Sequence, residues 1–80
     1  MPTVLKTAGF RFFFYSNEGD PLEAPHVHVA AAGKIAKFWL NPVELARSKN
    51  LRSSEIGTLQ RLVEQNRDAF LEAWNAHFYS

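Results

Sequence analysis

Two histidines separated by a single residue are the first feature of the sequence that could do chemistry. They lie in the segment Pro25-His26-Val27-His28-Val29, where polar and apolar side chains alternate. Alternation with a period of two is typical of a half-buried β-strand, so the valines face a core and the imidazoles lie side by side on the other face. Imidazoles titrate near neutral pH and serve as acids, bases, metal ligands or nucleic-acid contacts. The spacing predicts a site but does not choose among these roles.

Cleavage of RNA by general acid–base catalysis is one interpretation of this pair. One imidazole would take the proton from a 2′-hydroxyl, while a second group would protonate the leaving 5′-oxygen. In this interpretation His26 and His28 are catalytic, Arg11 stabilises the charge that builds on the phosphate, and Tyr15 donates a hydrogen bond. If the loop after the second strand folds over this face, Glu18 could pair with His28 or Arg11 and fix an imidazole tautomer. The predicted substrate-binding residues are Lys34, Lys37, Trp39, Phe13 and Glu18.

Three other interpretations remain open from the residues alone. In the simplest, the histidines are tolerated on a polar sheet face and have no further role. In the second, the face is a non-catalytic binding surface, with its aromatic residues buried in a protein partner or homodimer, or stacked on RNA bases. In the third, a metal ion would need Glu18 or Asp20 as a further ligand. Because no third histidine lies nearby in the sequence, we predict neither a metal nor another cofactor.

Length and composition narrow the class of protein. Eighty residues, 46% of them hydrophobic, fit a single globular domain spanning residues 1–80. The absence of cysteine favours a reducing cytoplasm, and no apolar run approaches the roughly 18 residues of a membrane span. The net charge of +1 is not that of a strongly basic nucleic-acid binder, so any such role needs a local patch.

Short strands occupy the first half of the chain. Turn residues at Ala8-Gly9, Ala32-Gly33 and Asn41-Pro42 separate segments rich in aromatic and β-branched side chains. Residues 17–25 form a polar loop, and Arg47–Arg52 is predicted to be a basic loop. The predicted strands are Thr3–Lys6, Phe10–Ser16, His26–Ala31, Lys34–Leu40 and Val43–Ala46.

An amphipathic helix is predicted over Ser54–Phe78, with Ser53 as its N-cap. Its apolar residues recur at steps of three and four, which gives one stripe to bury. Asn66 is a poor interior helix residue, and a break there into two helices is the alternative.

These elements predict an α+β fold, in which an antiparallel sheet of four to five short strands carries a long C-terminal helix packed on one face. The other sheet face would then be uncovered and would display the histidines among aromatic and cationic residues. The predicted core comprises Phe10, Phe12, Phe14, Val27, Val29, Phe38, Leu40, Ile56, Leu59, Val63, Phe70 and Trp74.

Several segments together carry a family resemblance. They are Phe10–Glu18 (FRFFFYSNE), Pro25–Val29 (PHVHV), Lys34–Leu40 (KIAKFWL) and Leu62–Trp74 (LVEQNRDAFLEAW). With these segments the chain resembles the "domain of unknown function 4160" family of small bacterial proteins. Genes of that family often neighbour those of a second small family, "domain of unknown function 2442". The resemblance implies the toxin-like component of a toxin–antitoxin module, with a small cognate antitoxin-like protein as partner.

Overall fold

The structure is a computed structural model that describes residues 3–15 and 23–79. Its sheet is antiparallel throughout, and its strands follow chain order from one edge to the other. The predicted bounds of the third and fourth strands are confirmed. The strands are β1 (Thr3–Thr7), β2 (Phe10–Phe13), β3 (His26–Ala31), β4 (Lys34–Leu40) and β5 (Val43–Lys49).

Three strands differ from their predicted bounds, β1 by a single residue because it continues to Thr7. β2 ends at Phe13, whereas the sequence predicts a strand up to Ser16, which lies outside the described residues. β5 continues to Lys49, so the predicted basic loop is wrong for its first three residues. β5 extends this far because its last residues pair with β4, with Arg47 opposite Lys37 and Lys49 opposite Ile35. Hydrogen bonding to β4 thus outweighs the low β-propensity of this basic segment.

Tight turns set the register of the meander. Ala8 and Gly9 both have positive φ, 54° and 79°, as two-residue hairpin turns that match the strand twist require. Gly33 has a φ of 70° in the turn between β3 and β4, where Asn50 donates a side-chain hydrogen bond of 2.7 Å to its carbonyl oxygen. A cis peptide bond joins Asn41 and Pro42 between β4 and β5.

The helical segment consists of α1 (Ser53–Gln65) and α2 (Arg67–Tyr79). The single long helix is therefore replaced by the alternative with a break at Asn66, whose side chain donates to the Leu62 carbonyl at 2.8 Å. The N-cap is Arg52 rather than the predicted Ser53. Its backbone N–H donates to the Glu55 carboxylate at 3.0 Å, which leaves Ser53 as the first helical residue.

Both helices cover the same face of the sheet, as the α+β prediction requires. α1 packs against β4 and β5, and α2 packs against β4. Phe70 and Trp74 of α2 also lie against Phe12 and Phe14, with ring centroids 5.8 and 5.4 Å apart. The core cluster is Phe12, Phe14, Val27, Val29, Ala36, Phe38, Leu40, Leu59, Val63, Phe70 and Trp74. Of the predicted core, Phe10 and Ile56 are only partly buried.

Neither helix in the described part of the chain has the length and apolar character needed to cross a membrane.

Candidate functional site

The sheet face turned away from the helices, here called the outer face, is arranged in rows by the strand register. Residues directly opposite one another in a ladder have side chains on the same face. The first row is Lys6, Arg11, Ala30, Ile35 and Lys49. The second row is Phe13, His28, Lys37 and Arg47, and the third is His26, Trp39 and Glu44. The predicted sharing of one face by His26 and His28 follows from this register.

Five rings form a continuous contact chain at one end of the outer face. Phe13 stacks on His28 with centroids 5.7 Å apart, and Tyr15 meets the same imidazole edge-on at 4.5 Å. His28 lies 5.1 Å from His26, which in turn lies 5.6 Å from Trp39. The structure thus brings together most of the residues that the sequence selects as a site.

Two cations lie over this ring chain. The Arg11 guanidinium carbon is 4.8 Å from the Phe13 centroid, and the Lys37 ammonium is 4.5 Å from the Trp39 centroid. Such cation–π contacts hold the charged group over the ring face and cover the ring from solvent. Lys37 also lies 3.6 Å from the Glu23 carboxylate.

The histidines are not displayed on an open surface, so the expectation of an uncovered histidine face is wrong. His26 is 0% exposed and His28 is 6% exposed, and Phe13, expected as a stacking platform, is 4% exposed. His26 is enclosed because Trp74 of α2 reaches its ring at 4.9 Å and Nδ1 lies 2.9 Å from the Ala24 carbonyl oxygen. The apolar groups that remain open on this face are Tyr15 and Ile35, 42% and 48% exposed.

A small pocket of about 50 Å³ reaches the second histidine. Its walls include Tyr15, His28 and Arg47, together with Ile35. This volume is room for one or two water molecules but not for a nucleotide. His28 therefore meets solvent beside a cation, without space for a substrate in the described conformation.

Cations lie directly opposite one another at two places on the outer face. Lys6 faces Arg11 across β1 and β2, and Lys37 faces Arg47 across β4 and β5. Like charges in this arrangement destabilise a sheet unless an anion lies between them. The site residues selected from the sequence do not include Lys6, Arg47 or Lys49. The i, i+2 spacing of Arg47 and Lys49 was the available signal, hidden by their assignment to a loop.

Lys34, selected as a substrate contact, lies apart from this site. Its ammonium pairs with the Glu55 carboxylate of α1 at 2.6 Å, so it joins β4 to the helical layer. The Arg52 backbone N–H and then Lys34 hold the pKa of Glu55 below its usual value near 4.5. Glu18 and Asp20 lie outside the described residues, and so does the predicted pairing of Glu18 with His28 or Arg11.

No three histidine, aspartate or glutamate side chains among residues 3–15 and 23–79 cluster closely enough to hold a metal ion. The described site contains cations, aromatic rings and two enclosed imidazoles.

Comparison with protein families identifies the domain. The model of the family described as "Domain of unknown function (DUF4160)" matches residues 9–75. The chain belongs to this family. The match covers β2 to β5, α1 and most of α2, so the whole outer face except its β1 residues lies within the DUF4160 domain. Neither the search of characterised proteins nor that of solved structures found a similar chain.

Proposed function

We propose that this DUF4160 protein is the toxin-like component of a bacterial two-protein toxin–antitoxin module, and that it acts by binding RNA on its outer face. The observation that carries the proposal is the concentration of cations there. Five of the nine lysine and arginine residues of a chain with net charge +1 share one sheet face. They are Lys6, Arg11, Lys37, Arg47 and Lys49.

Among residues 3–15 and 23–79, most of this charge has no partner of opposite sign. Lys37 pairs with Glu23, while no ion pair among the described residues involves the other four cations. Phosphates supply a regularly spaced negative charge that such a surface neutralises with release of counterions. Segregated charge of this kind supports a polyanionic ligand.

The exposed apolar groups favour single-stranded RNA among polyanions. Tyr15 rests edge-on against His28 and still exposes 42% of its surface, so a base can stack on it. Sheets that bind single strands combine such rings with a cationic track. The five strands span about 19 Å, which is enough for several nucleotides.

The positive charge of the outer face also supports a particular kind of protein partner, one with an acidic surface. A small cognate antitoxin-like protein with an acidic surface would cover the outer face and exclude RNA in the bacterial cytoplasm. A homodimer formed through this face would instead bring two sets of five cations together, which costs Coulomb energy. The proposed module is therefore heteromeric.

RNA cleavage is the second candidate, and the pocket beside His28 is the observation that favours it. His28 would be the general base, Arg47 would hold the phosphate, and Tyr15 would donate a hydrogen bond. A catalytic base must come within about 3 Å of the proton that it takes. Because the pocket has room for water alone and His26 is fully enclosed, binding without cleavage is the better-supported function.

Expression of the full chain in bacteria tests both candidates. We expect slowed growth with intact total RNA, and retention of a fluorescent single-stranded RNA by the purified protein in a polarisation assay. The double variant Arg47→Gln/Lys49→Gln should lose binding and toxicity, while Arg61→Gln, which removes an exposed cation on α1, should retain both. Total RNA that is degraded in cells expressing the wild type but intact in cells expressing His28→Gln would favour cleavage. Normal growth together with no RNA binding would refute the proposal.

A further inference from the structure

The β1–β2 hairpin has two adjacent cations and no carboxylate to balance them. Lys6 and Arg11 are exposed and directly opposite in the ladder, and no ion pair in the described part of the chain involves either. Cross-strand pairs of like charge weaken a sheet. An anion bound between the two side chains would relieve this repulsion.

An open pocket of about 480 Å³ lies at these two side chains. Its size falls within the range of about 300–1,000 Å³ that small-molecule ligands occupy. It is lined by Lys6, Thr7, Gly9, Phe10, Arg11 and Ala30. Space is also open at the hairpin turn, since a Cβ built on Gly9 would meet no atom within 4 Å.

The two cations differ in how they would hold an anion. Arg11 is held over Phe13, so part of the entropy cost of ordering its side chain is met before a ligand binds. Its planar guanidinium offers two parallel N–H donors to a phosphate, whereas the Lys6 ammonium acts as a point charge. Phe10 and Ala30 supply an apolar wall beside them.

We propose that this hairpin pocket is a phosphate-binding site for one nucleotide, with Lys6 and Arg11 on the phosphate and Phe10 and Ala30 beside the sugar or base. That the nucleotide is part of an RNA chain rests on the proposed function. The phosphate is either a monoester, as in a free nucleotide or a 5′ end, or a diester within the strand.

Thermal unfolding of the full chain tests the pocket itself. Inorganic phosphate and adenosine 5′-monophosphate should raise the melting temperature, and adenosine without a phosphate should not. Lys6→Gln and Arg11→Gln should each weaken the apparent affinity at least about tenfold, because a charge-assisted hydrogen bond is lost. Arg61→Gln, which removes an exposed cation on α1 and not on the outer face, should leave it unchanged. Without ligand, the melting temperature of Lys6→Gln should be slightly higher than that of the wild type, because the repulsion between Lys6 and Arg11 is relieved. A folded variant with weaker phosphate binding separates the loss of the site from a loss of folding.

Two single-stranded RNAs of one sequence, with a 5′-phosphate or a 5′-hydroxyl, identify the source of the phosphate. Tighter binding of the phosphorylated strand that disappears in Lys6→Gln supports a site for the 5′ end. Equal binding of both, weakened in Lys6→Gln, supports a diester site. If neither inorganic phosphate nor the nucleotide changes the melting temperature, and RNA binding is unchanged in Lys6→Gln, the pocket proposal is wrong. The proposed function is then unaffected. Binding of the nucleotide without binding of RNA would support the pocket and overturn the proposed function.

Discussion

The imidazole of His26 is in contact with three other rings, those of His28, Trp39 and Trp74, with centroids 5.1, 5.6 and 4.9 Å away. Nδ1 lies at hydrogen-bonding distance from the Ala24 carbonyl oxygen, at 2.9 Å. A buried ring in such a position contributes through packing and through the hydrogen bond that satisfies its polar atom. Its primary role is therefore to hold the end of β3 against β4 and α2.

Replacement of this ring should cost stability. His26→Ala removes the packed ring and leaves the Ala24 carbonyl without its partner, so the free energy of unfolding should fall by about 2–4 kcal/mol. Urea unfolding followed by tryptophan fluorescence measures this directly, because Trp39 and Trp74 both contact the ring. His77→Ala is the matched control; its side chain is exposed on α2, and the change should stay below about 1 kcal/mol. Equal stability of the two variants would contradict the structural role.

Glu55 joins two elements by accepting from the Arg52 backbone N–H at the start of α1 and from Lys34 of β4. These donors favour the ionised carboxylate, so its folded-state pKa is below the usual value near 4.5. A depressed carboxyl pKa contributes stability above the unfolded-state pKa, and that contribution is lost as the pH falls through the folded-state value.

The wild type should therefore be more stable than Glu55→Gln at pH 7, and the difference should shrink as the pH is lowered from about 5 to 3. Urea midpoints of the two proteins at each pH give the comparison. Glu64→Gln, an exposed site on the same helix, provides the control and should follow the wild type. A difference that is constant with pH would mean that the Glu55 carboxylate does not depend on these contacts for its ionisation.

Two glycines allow opposite predictions for the same substitution. Gly33 has a φ of 70°, in the left-handed region, so Gly33→Ala should destabilise the β3–β4 hairpin by about 1 kcal/mol. Gly57 lies within α1, where an added Cβ would meet only the flexible Arg61 side chain at 3.7 Å. Gly57→Ala should stabilise the protein by up to about 1 kcal/mol, since alanine is the better helix former. Melting temperatures that shift in the same direction would refute this pair.

Sequence patterns predict best the elements whose structure depends on residues that are close together in the chain. β3 and β4 were bounded correctly because each alternates cleanly between turns, and the sharing of a face by His26 and His28 follows from the same alternation. The burial of His26 was not predictable in this way, since Trp74 closes over it from a helix 48 positions further along the chain. β5 was predicted too short because its pairing with β4, rather than its own composition, extends it to Lys49.

At the scale of the molecule, the distribution of charge matters more than its sum. The helical layer and the outer face divide the charged residues so that five cations lie on the outer face, with Glu44 as a carboxylate in the same rows. Cations at both sheet edges, on β1 and β5, extend this field over the full width of the sheet. A net charge of +1 conceals this separation, which only the strand order makes visible.

This distribution of charge should make RNA binding depend on salt concentration, with a slope that reports the number of phosphates contacted. For single strands, the slope of log K against log salt concentration is about −0.7 per phosphate neutralised, so contacts from Lys6, Arg11, Arg47 and Lys49 predict about −2.8. Each of these residues replaced singly by Gln should reduce the magnitude of the slope by about 0.7. Polarisation titrations between about 50 and 200 mM salt measure it, with Arg61→Gln as the control. A slope near zero would assign the binding to apolar contacts at Tyr15 and Ile35, and a reduction as large in Arg61→Gln would place the RNA on the helical layer instead.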